Sequence, residues 1–405
     1  MSAADAMADG GAIVRLAGRG DGVTADGRHV PFAAPGDVAA ADGTLLSGPH
    51  RAVPLCRHFG RCGGCQLQHV DDDAYRGFIV DRITGALIAQ RIAPPPIDVP
   101  HLSPPHARRR ASLRAERIGR RVVLGFNEGA SHRIVDLAEC PILHPDLFAL
   151  LAPLRALLAT LLRDRRAAGV QLSLVDQGVD VLLDKVEAEG LEAAEALTAF
   201  AGKHRLARLA IDDGYGPQPR WEPGPATVTL GGVAVPLPIG GFLQATADGE
   251  AALVAAVREG VGEAASVADL FAGIGTFALP LSMGAKVVAA EGARDAALAL
   301  GTAAARAQRP LAVEHRDLFR RPLDTKELAR FDAVVLDPPR AGAREQAGTL
   351  AASGAGRIVY VSCNPATFAR DARALIDGGY RLERIRPVGQ FRWSTHVELV
   401  GLFAR

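Results

Sequence analysis

With 405 residues the chain can bury sizeable cores and hold two or three domains, and 48% hydrophobic with 22% charged residues is the composition of an ordinary soluble globular protein. A formal net charge of +1 excludes a global basic field, so any nucleic-acid surface must be local. Five cysteines without a secretory signature point to a cytoplasmic protein whose thiols serve metal binding or catalysis, not disulfides.

The first residues, "MSAADAMADGG", carry neither a basic n-region nor an apolar core, so no secretory leader is expected there. Residues 11–47 hold short apolar runs separated by D-G turns, the pattern of a small β module. "CRHFGRCGGCQLQH", Cys56 to His69, then packs three of the five cysteines into ten residues. A helical pattern runs from Asp72 to about Ala93 and is broken by "APPPIDVP" and "SPPH". Residues 107–140 read as short strands, and "HARRRASLRAERIGRR" (His106 to Arg121) holds seven arginines against one glutamate, a density that suits RNA phosphates. Leu147 to Ala168 reads as a helix. Its most apolar part, Leu147 to Leu162, is interrupted by Pro153 and Arg155 and is too short to span a membrane. "VQLSLVD" and "VDVLLD" read as paired strands and "EAAEALTAFAGKH" as a helix, which makes this middle part α+β.

After Pro236 strands alternate with helices, the rhythm of a doubly wound parallel sheet. "SVADLF", "AKVVAAE", "LAVEHRD", "FDAVVLD" and "RIVYVSC" are the strands. "YRLERIRPVGQF" and "HVELVGLFAR" follow without a helix between them and should form a hairpin. In "DLFAGIGTFALPL" a strand leads into a turn with Gly273 and Gly275, where a ligand can approach the backbone. Glu291, Asp317 and Asp337 end three further strands, so acids gather at one sheet edge, with Glu291 placed for ribose hydroxyls. Cys363 ends the fifth strand, and Ser362, Asn364 and Pro365 give it turn chemistry that presents it to the same crevice. Glu398 opens the last strand.

"FLQAT", "DLFAGIGTF", "LDPPR", "VSCNPATFARD" and "THVE" resemble, in that order, the motifs of the S-adenosylmethionine-dependent RNA uridine-C5 methyltransferases. The resemblance covers roughly residues 55–405. It implies a Rossmann-like class I methyltransferase domain at residues 236–405, a central α+β domain at 55–235 and, at 1–54, a β module resembling a shortened TRAM barrel. It further implies Cys363 as the nucleophile that adds to uracil C6, Glu398 as the base that removes the C5 proton, and Asp337 facing the uracil. Gln244, Phe271, Gly273, Thr276, Glu291, Asp317 and Asp337 would line the S-adenosylmethionine site. Departures are small: Ala245 and Thr246 where Val-Asn is frequent, Thr276 for Asn, and Gly389 for Asp.

With Cys363 claimed by chemistry, Cys56, Cys62, Cys65 and Cys140 remain as one set of four. The spacing suits structural zinc or an iron–sulfur cluster, since both accept four thiolates. "CRHFGRCGGCQLQH" with the later "ECPIL" resembles the cluster segment of the branch that methylates 23S rRNA, which implies a [4Fe–4S] cluster and a ribosomal substrate. His69 reads as a hydrogen-bonded structural histidine. The expectation is therefore a cytoplasmic, monomeric enzyme with RNA as partner and no membrane association. The alternatives are a tRNA uridine-C5 methyltransferase, an RNA cytosine-C5 methyltransferase or a cluster-bearing RNA-binding protein without activity. The cytosine enzymes carry their cysteine on the fourth strand, which here ends in "DPPR".

Overall fold

Eight strands make the largest sheet of the computed structural model, which describes residues 11–405. Residues 1–10, where no leader was expected, lie outside the described residues. From one edge to the other the strands are Leu311–His315, Lys286–Glu291, Ser266–Leu270, Ala333–Leu336, Arg357–Ser362, Glu398–Ala404, Arg381–Gly389 and His101–Leu102. The first five are parallel, and Glu398–Ala404 runs antiparallel to both of its neighbours. The sequence explains the centre: "AVVL" at Ala333–Leu336 is buried at every residue, as a parallel strand covered on both faces requires. Chain order reverses at Ser266–Leu270, between Lys286–Glu291 and Ala333–Leu336, and a crevice opens beyond the carboxyl ends of strands at such a point.

Each face of this sheet carries a core. On one, Leu253, Val257, Leu300, Val335 and Val359 pack together. On the other, Tyr360, Phe368 and Ile385 pack with Tyr75, Phe78, Ile79, Ile83 and Leu87 from helix Asp72–Ala89. That helix starts where the Asp71 carboxylate accepts the Ala74 N–H at 2.8 Å. Burying its five large side chains contributes on the order of 10 kcal/mol in gross transfer terms. An N-terminal element thus completes the sheet that carries the C-terminal motifs.

A second sheet has six strands, in the order Gln218–Trp221, Arg208–Asp212, Gly178–Asp184, Ala167–Val175, Arg110–Ile118 and Arg121–Gly125. Helices Leu151–Leu161 and Gly190–Lys203 supply Leu154, Leu158, Leu197 and Phe200 to its core. The expected central iron–sulfur domain is corrected here. Among the described residues no group of three or more His, Cys, Asp or Glu side chains is placed to hold a metal ion. At the N-terminus, Ile13–Leu16, Gly22–Thr24 and His29–Val30 form a three-stranded sheet and Val38–Ala39 pairs with Leu45–Leu46, a small β module. No described helix is long and apolar enough to cross a membrane.

Candidate active site

The glycine turn after Ser266–Leu270 is open toward the crevice. Phe271 (φ 65°), Gly273 (φ 56°) and Gly275 (φ 98°) all take left-handed backbone conformations. For a residue as bulky as Phe271 this is a strained state of the kind that clusters at ligand clamps. Nothing lies within 4 Å of where a side chain on Gly273 would begin, so the backbone there can be approached by a ligand. Gly275 serves packing instead, because a Cβ would stand 2.4 Å from Leu300 Cδ1. Gly275→Ala should cost about 2 kcal/mol through backbone strain and overpacking. Thermal unfolding measures this, and an unchanged midpoint would mean the turn accommodates a side chain.

Glu291 braces this turn: one carboxylate oxygen accepts the Gly273 N–H (2.8 Å) and the other the Ala293 N–H (2.6 Å). A carboxylate has about four acceptor positions, so capacity for hydroxyl donors remains. Asp317 accepts the Phe319 N–H at 3.0 Å, and the Phe319 ring lies 5.4 Å from that of Phe271. Thr276 is half-buried within the turn. Together these residues line one edge of the sheet, with the Gly273 backbone open and two carboxylates beside it.

Asp269, on the strand that feeds the turn, was missed by sequence reasoning. It is fully buried, neither carboxylate oxygen has a hydrogen-bond partner, and burial, followed by the nearby Asp337 charge, raises its pKa well above the ordinary value. Burial likewise pushes Asp337 to about 7 and Glu398 to about 8. All three acids hold protons in the folded state that the unfolded chain releases, so stability should fall with rising pH. The loss begins at the ordinary values of 3.8 and 4.5 and, for Glu398, is complete only above about 8. Asp269→Asn should flatten this decline and leave the variant more stable than the parent at alkaline pH. Unfolding midpoints followed against pH test it, and parallel curves for the two proteins would contradict it.

Cys363 follows strand Arg357–Ser362 and is half-buried. Its loop is anchored locally. Asn364 caps helix Pro365–Asp377 by accepting the Ala366 N–H (3.1 Å), and its side-chain amide donates to the Arg340 carbonyl (3.1 Å). Thr367 donates to the same carbonyl at 3.2 Å, so the "DPPR" loop and the cysteine loop are tied together. Burial raises the pKa of the Cys363 thiol, and so do the charges of Glu398 and Asp337, while Arg340 acts in the opposite sense. The thiol and both acids therefore lie within one another's field.

Glu398 is almost fully buried. Gln390 donates to it and also to the Gln244 side-chain oxygen (2.7 Å), while the Gln390 oxygen accepts the Ala245 N–H (2.8 Å). Gln390 was not singled out in the sequence. Its only signal there was a lone polar side chain between Gly389 and Phe391 at a strand end. Arg110, from the six-stranded sheet, also faces Glu398 and favours its ionised form.

The arginine run divides by role. Arg108 lies between the rings of Phe126 (5.8 Å) and Phe391 (5.3 Å), Arg109 pairs with Glu250 at 2.5 Å, and Arg117 donates to the Ala159 and Leu162 carbonyls. Arg110 sits 4.6 Å from the exposed ring of Phe242. Among the described residues Arg114, Arg120 and Arg121 form no ion pair.

Cys56, Cys62, Cys65 and Cys140 line one small cavity with Phe59, Phe126, Leu137 and Ile142, yet among the described residues no three metal-ligating side chains are arranged to hold an ion. Burial dominates every thiol: it pushes Cys65 to about 12 and Cys140 to about 11, and raises Cys56 and Cys62. What decides against a metal is the arrangement of these side chains and not their protonation, since ligation itself displaces thiol protons. The [4Fe–4S] cluster, its zinc alternative and placement in the iron–sulfur branch are corrected accordingly. The segment instead supports the loop ahead of Glu398. The Gln66 and Leu67 N–H groups donate to the Trp393 carbonyl (2.8 Å each), and the Tyr75 hydroxyl lies 3.1 Å from the Phe391 carbonyl and 3.2 Å from that of Ser394. His69 is buried with Nε2 3.3 Å from the Ala33 carbonyl.

Comparison with known proteins agrees with the geometry of the edge. A family model described as tRNA (uracil-5-)-methyltransferase matches residues 241–405. An uncharacterised RNA methyltransferase of Zymomonas mobilis is 53% identical, covering 97% of this chain and 99% of its own. A 23S rRNA (uracil(1939)-C(5))-methyltransferase of Chromohalobacter salexigens is 34% identical, covering 99% of this chain and 90% of its own. The fold is similar to that of the Pyrococcus abyssi tRNA (uracil-54, C5)-methyltransferase solved with S-adenosyl-L-homocysteine, with a TM-score of 0.75 at 24% identity over 97% of this chain and 100% of that one. The chain thus belongs to the RNA uracil-C5 methyltransferases and is an S-adenosylmethionine-dependent enzyme.

Proposed function

We propose that the enzyme methylates C5 of a uridine in transfer RNA through a covalent adduct on Cys363. The observation that carries this reading is the gathering of one thiol, the half-buried Asp337 and the buried Glu398 at the sheet edge that also holds the glycine turn. Uracil C5 is too weak a nucleophile unaided. Addition of the Cys363 thiolate to C6 forms an S–C6 bond and moves the C5=C6 electron pair to C5 as an enolate. Asp337, raised to about 7 by burial, is partly protonated at neutral pH, and in that form it spares the thiolate a like charge and can donate to a uracil oxygen. S-adenosylmethionine, when bound along Gln244, Phe271, Gly273, Thr276, Glu291 and Asp317, supplies the electrophilic methyl group that C5 takes. Glu398, as carboxylate, then removes the C5 proton, the C–H pair restores C5=C6, and the S–C6 bond breaks to free the thiolate. A uridine within folded RNA must be flipped out to reach this crevice.

The ribosomal expectation rested on the cysteine cluster, which the structure does not arrange for metal, and the family model over residues 241–405 carries a transfer-RNA description. A 23S rRNA substrate is the second reading, favoured by the Chromohalobacter relative. Unmodified transfer-RNA and 23S transcripts, each offered with labelled S-adenosylmethionine, decide between them. Methylation of transfer RNA supports the proposal, and methylation of the 23S transcript alone replaces it with the second reading.

A further inference from the structure

Gln390 is 2% exposed and makes three hydrogen bonds, two to the neighbouring residues Gln244 and Ala245 and one to Glu398. The Ala245 N–H can only donate, so it must face the side-chain oxygen of Gln390, at 2.8 Å. That contact fixes the amide group, whose NH2 end then points at the Gln244 side-chain oxygen (2.7 Å) and at one carboxylate oxygen of Glu398. Two consequences follow from donor and acceptor chemistry. With its oxygen engaged, Gln244 has its own NH2 left to offer a ligand. Glu398 receives a donor, which favours the ionised carboxyl.

We propose that Gln390 is a positioning residue that holds Gln244 as a donor and Glu398 as an acceptor, linking the loop that carries Gln244 and Ala245 to the group that takes the C5 proton. The inference rests on the reading of Glu398 as that base. Three other titratable or charged groups face Glu398. Asp337, beyond strand Ala333–Leu336, opposes its ionisation; Arg110, from Arg110–Ile118, favours it; and the Cys363 thiol feels its charge. Against burial, which dominates, Gln390 is the largest influence lowering the Glu398 pKa.

The test follows two steps separately, using labelled S-adenosylmethionine and an unmodified transfer-RNA transcript, or the 23S transcript if that is the acceptor. The steps are formation of the protein–RNA adduct in a single turnover and its resolution to free RNA, across roughly pH 6 to 9.5. Gln390→Met keeps the length of the side chain and removes its amide. At saturating S-adenosylmethionine, adduct formation should stay within about threefold of the parent, with more of the donor needed to saturate it because Gln244 is no longer held, while resolution slows about tenfold at pH 7 and its pH midpoint moves up by about one unit. The parent rate should return at the alkaline end, a recovery that a merely structural defect would not show.

Gln390→Glu retains an acceptor for the Ala245 N–H but replaces the donor with a second acid, so the midpoint should also move up. It supplies the same readout if the methionine variant does not fold. An unchanged midpoint in either folded variant, or a loss equal at every pH, overturns the inference. If Glu398→Gln resolves its adduct at the parent rate, the base assignment fails and this inference with it. If Glu398→Gln stalls while Gln390 variants keep the parent midpoint, only the role of Gln390 is lost.

Discussion

Cys363→Ala should reduce methylation by about 10³-fold or more while leaving S-adenosylmethionine binding within about twofold of the parent. In the proposed mechanism the thiol acts on uracil, and it makes no part of the glycine turn at Gly273 and Gly275. The packing cost should be small, because Cys363 is half-buried and its loop is held by Asn364 and Thr367, which the substitution leaves in place. Turnover measured beside equilibrium binding of the donor separates the two effects. Retained turnover would eliminate the covalent pathway, and loss of donor binding would mean that the loop, and not the thiol, had been damaged.

Glu398→Gln should let methyl transfer proceed and then stall, with resolution slowed by about 10²- to 10⁴-fold, the usual worth of a general base. The stalled species is a protein–RNA adduct that survives denaturation and carries the labelled methyl group. In the parent, only roughly a tenth of the Glu398 carboxyl is ionised at pH 7 for a pKa of about 8, so resolution should speed up with pH until that value is passed. A glutamine variant that turns over normally, without adduct, would place the base elsewhere.

Much of the catalytic sheet was legible because its constraints are local. "AVVL" and "RIVYV" can hardly be anything but buried strands, and the turn at Gly273 and Gly275 announces a strand-to-helix junction open to a ligand. Two apolar strands without a helical pattern between them, Arg381–Gly389 and Glu398–Ala404, pair antiparallel. What escaped the sequence depends on tertiary choice. The apolar face of Asp72–Ala89 says that something must cover it, not that Tyr360, Phe368 and Ile385 do so. His101–Leu102 is a strand of two residues whose pairing with Val388 and Gly389 no local pattern signals.

The same limit applied to function. Cysteine spacing brought four thiols to one cavity, yet spacing says nothing about whether they converge on an ion, and in the structure they do not. Arginine density likewise could not reveal that Arg108, Arg109 and Arg117 are engaged by aromatic rings, Glu250 and backbone carbonyls. Asp269 and Gln390 lie in otherwise ordinary strand and strand-end sequence, and only burial and partners mark them out.

The central claim, methyl transfer to C5 of uridine, is tested most directly by nucleoside mass spectrometry of RNA after reaction with methyl-labelled S-adenosylmethionine. The transcript should yield labelled 5-methyluridine as the only methylated nucleoside with the parent enzyme and none with Cys363→Ala. Labelled 5-methylcytidine, or methyl on any other base or on ribose, would contradict the account.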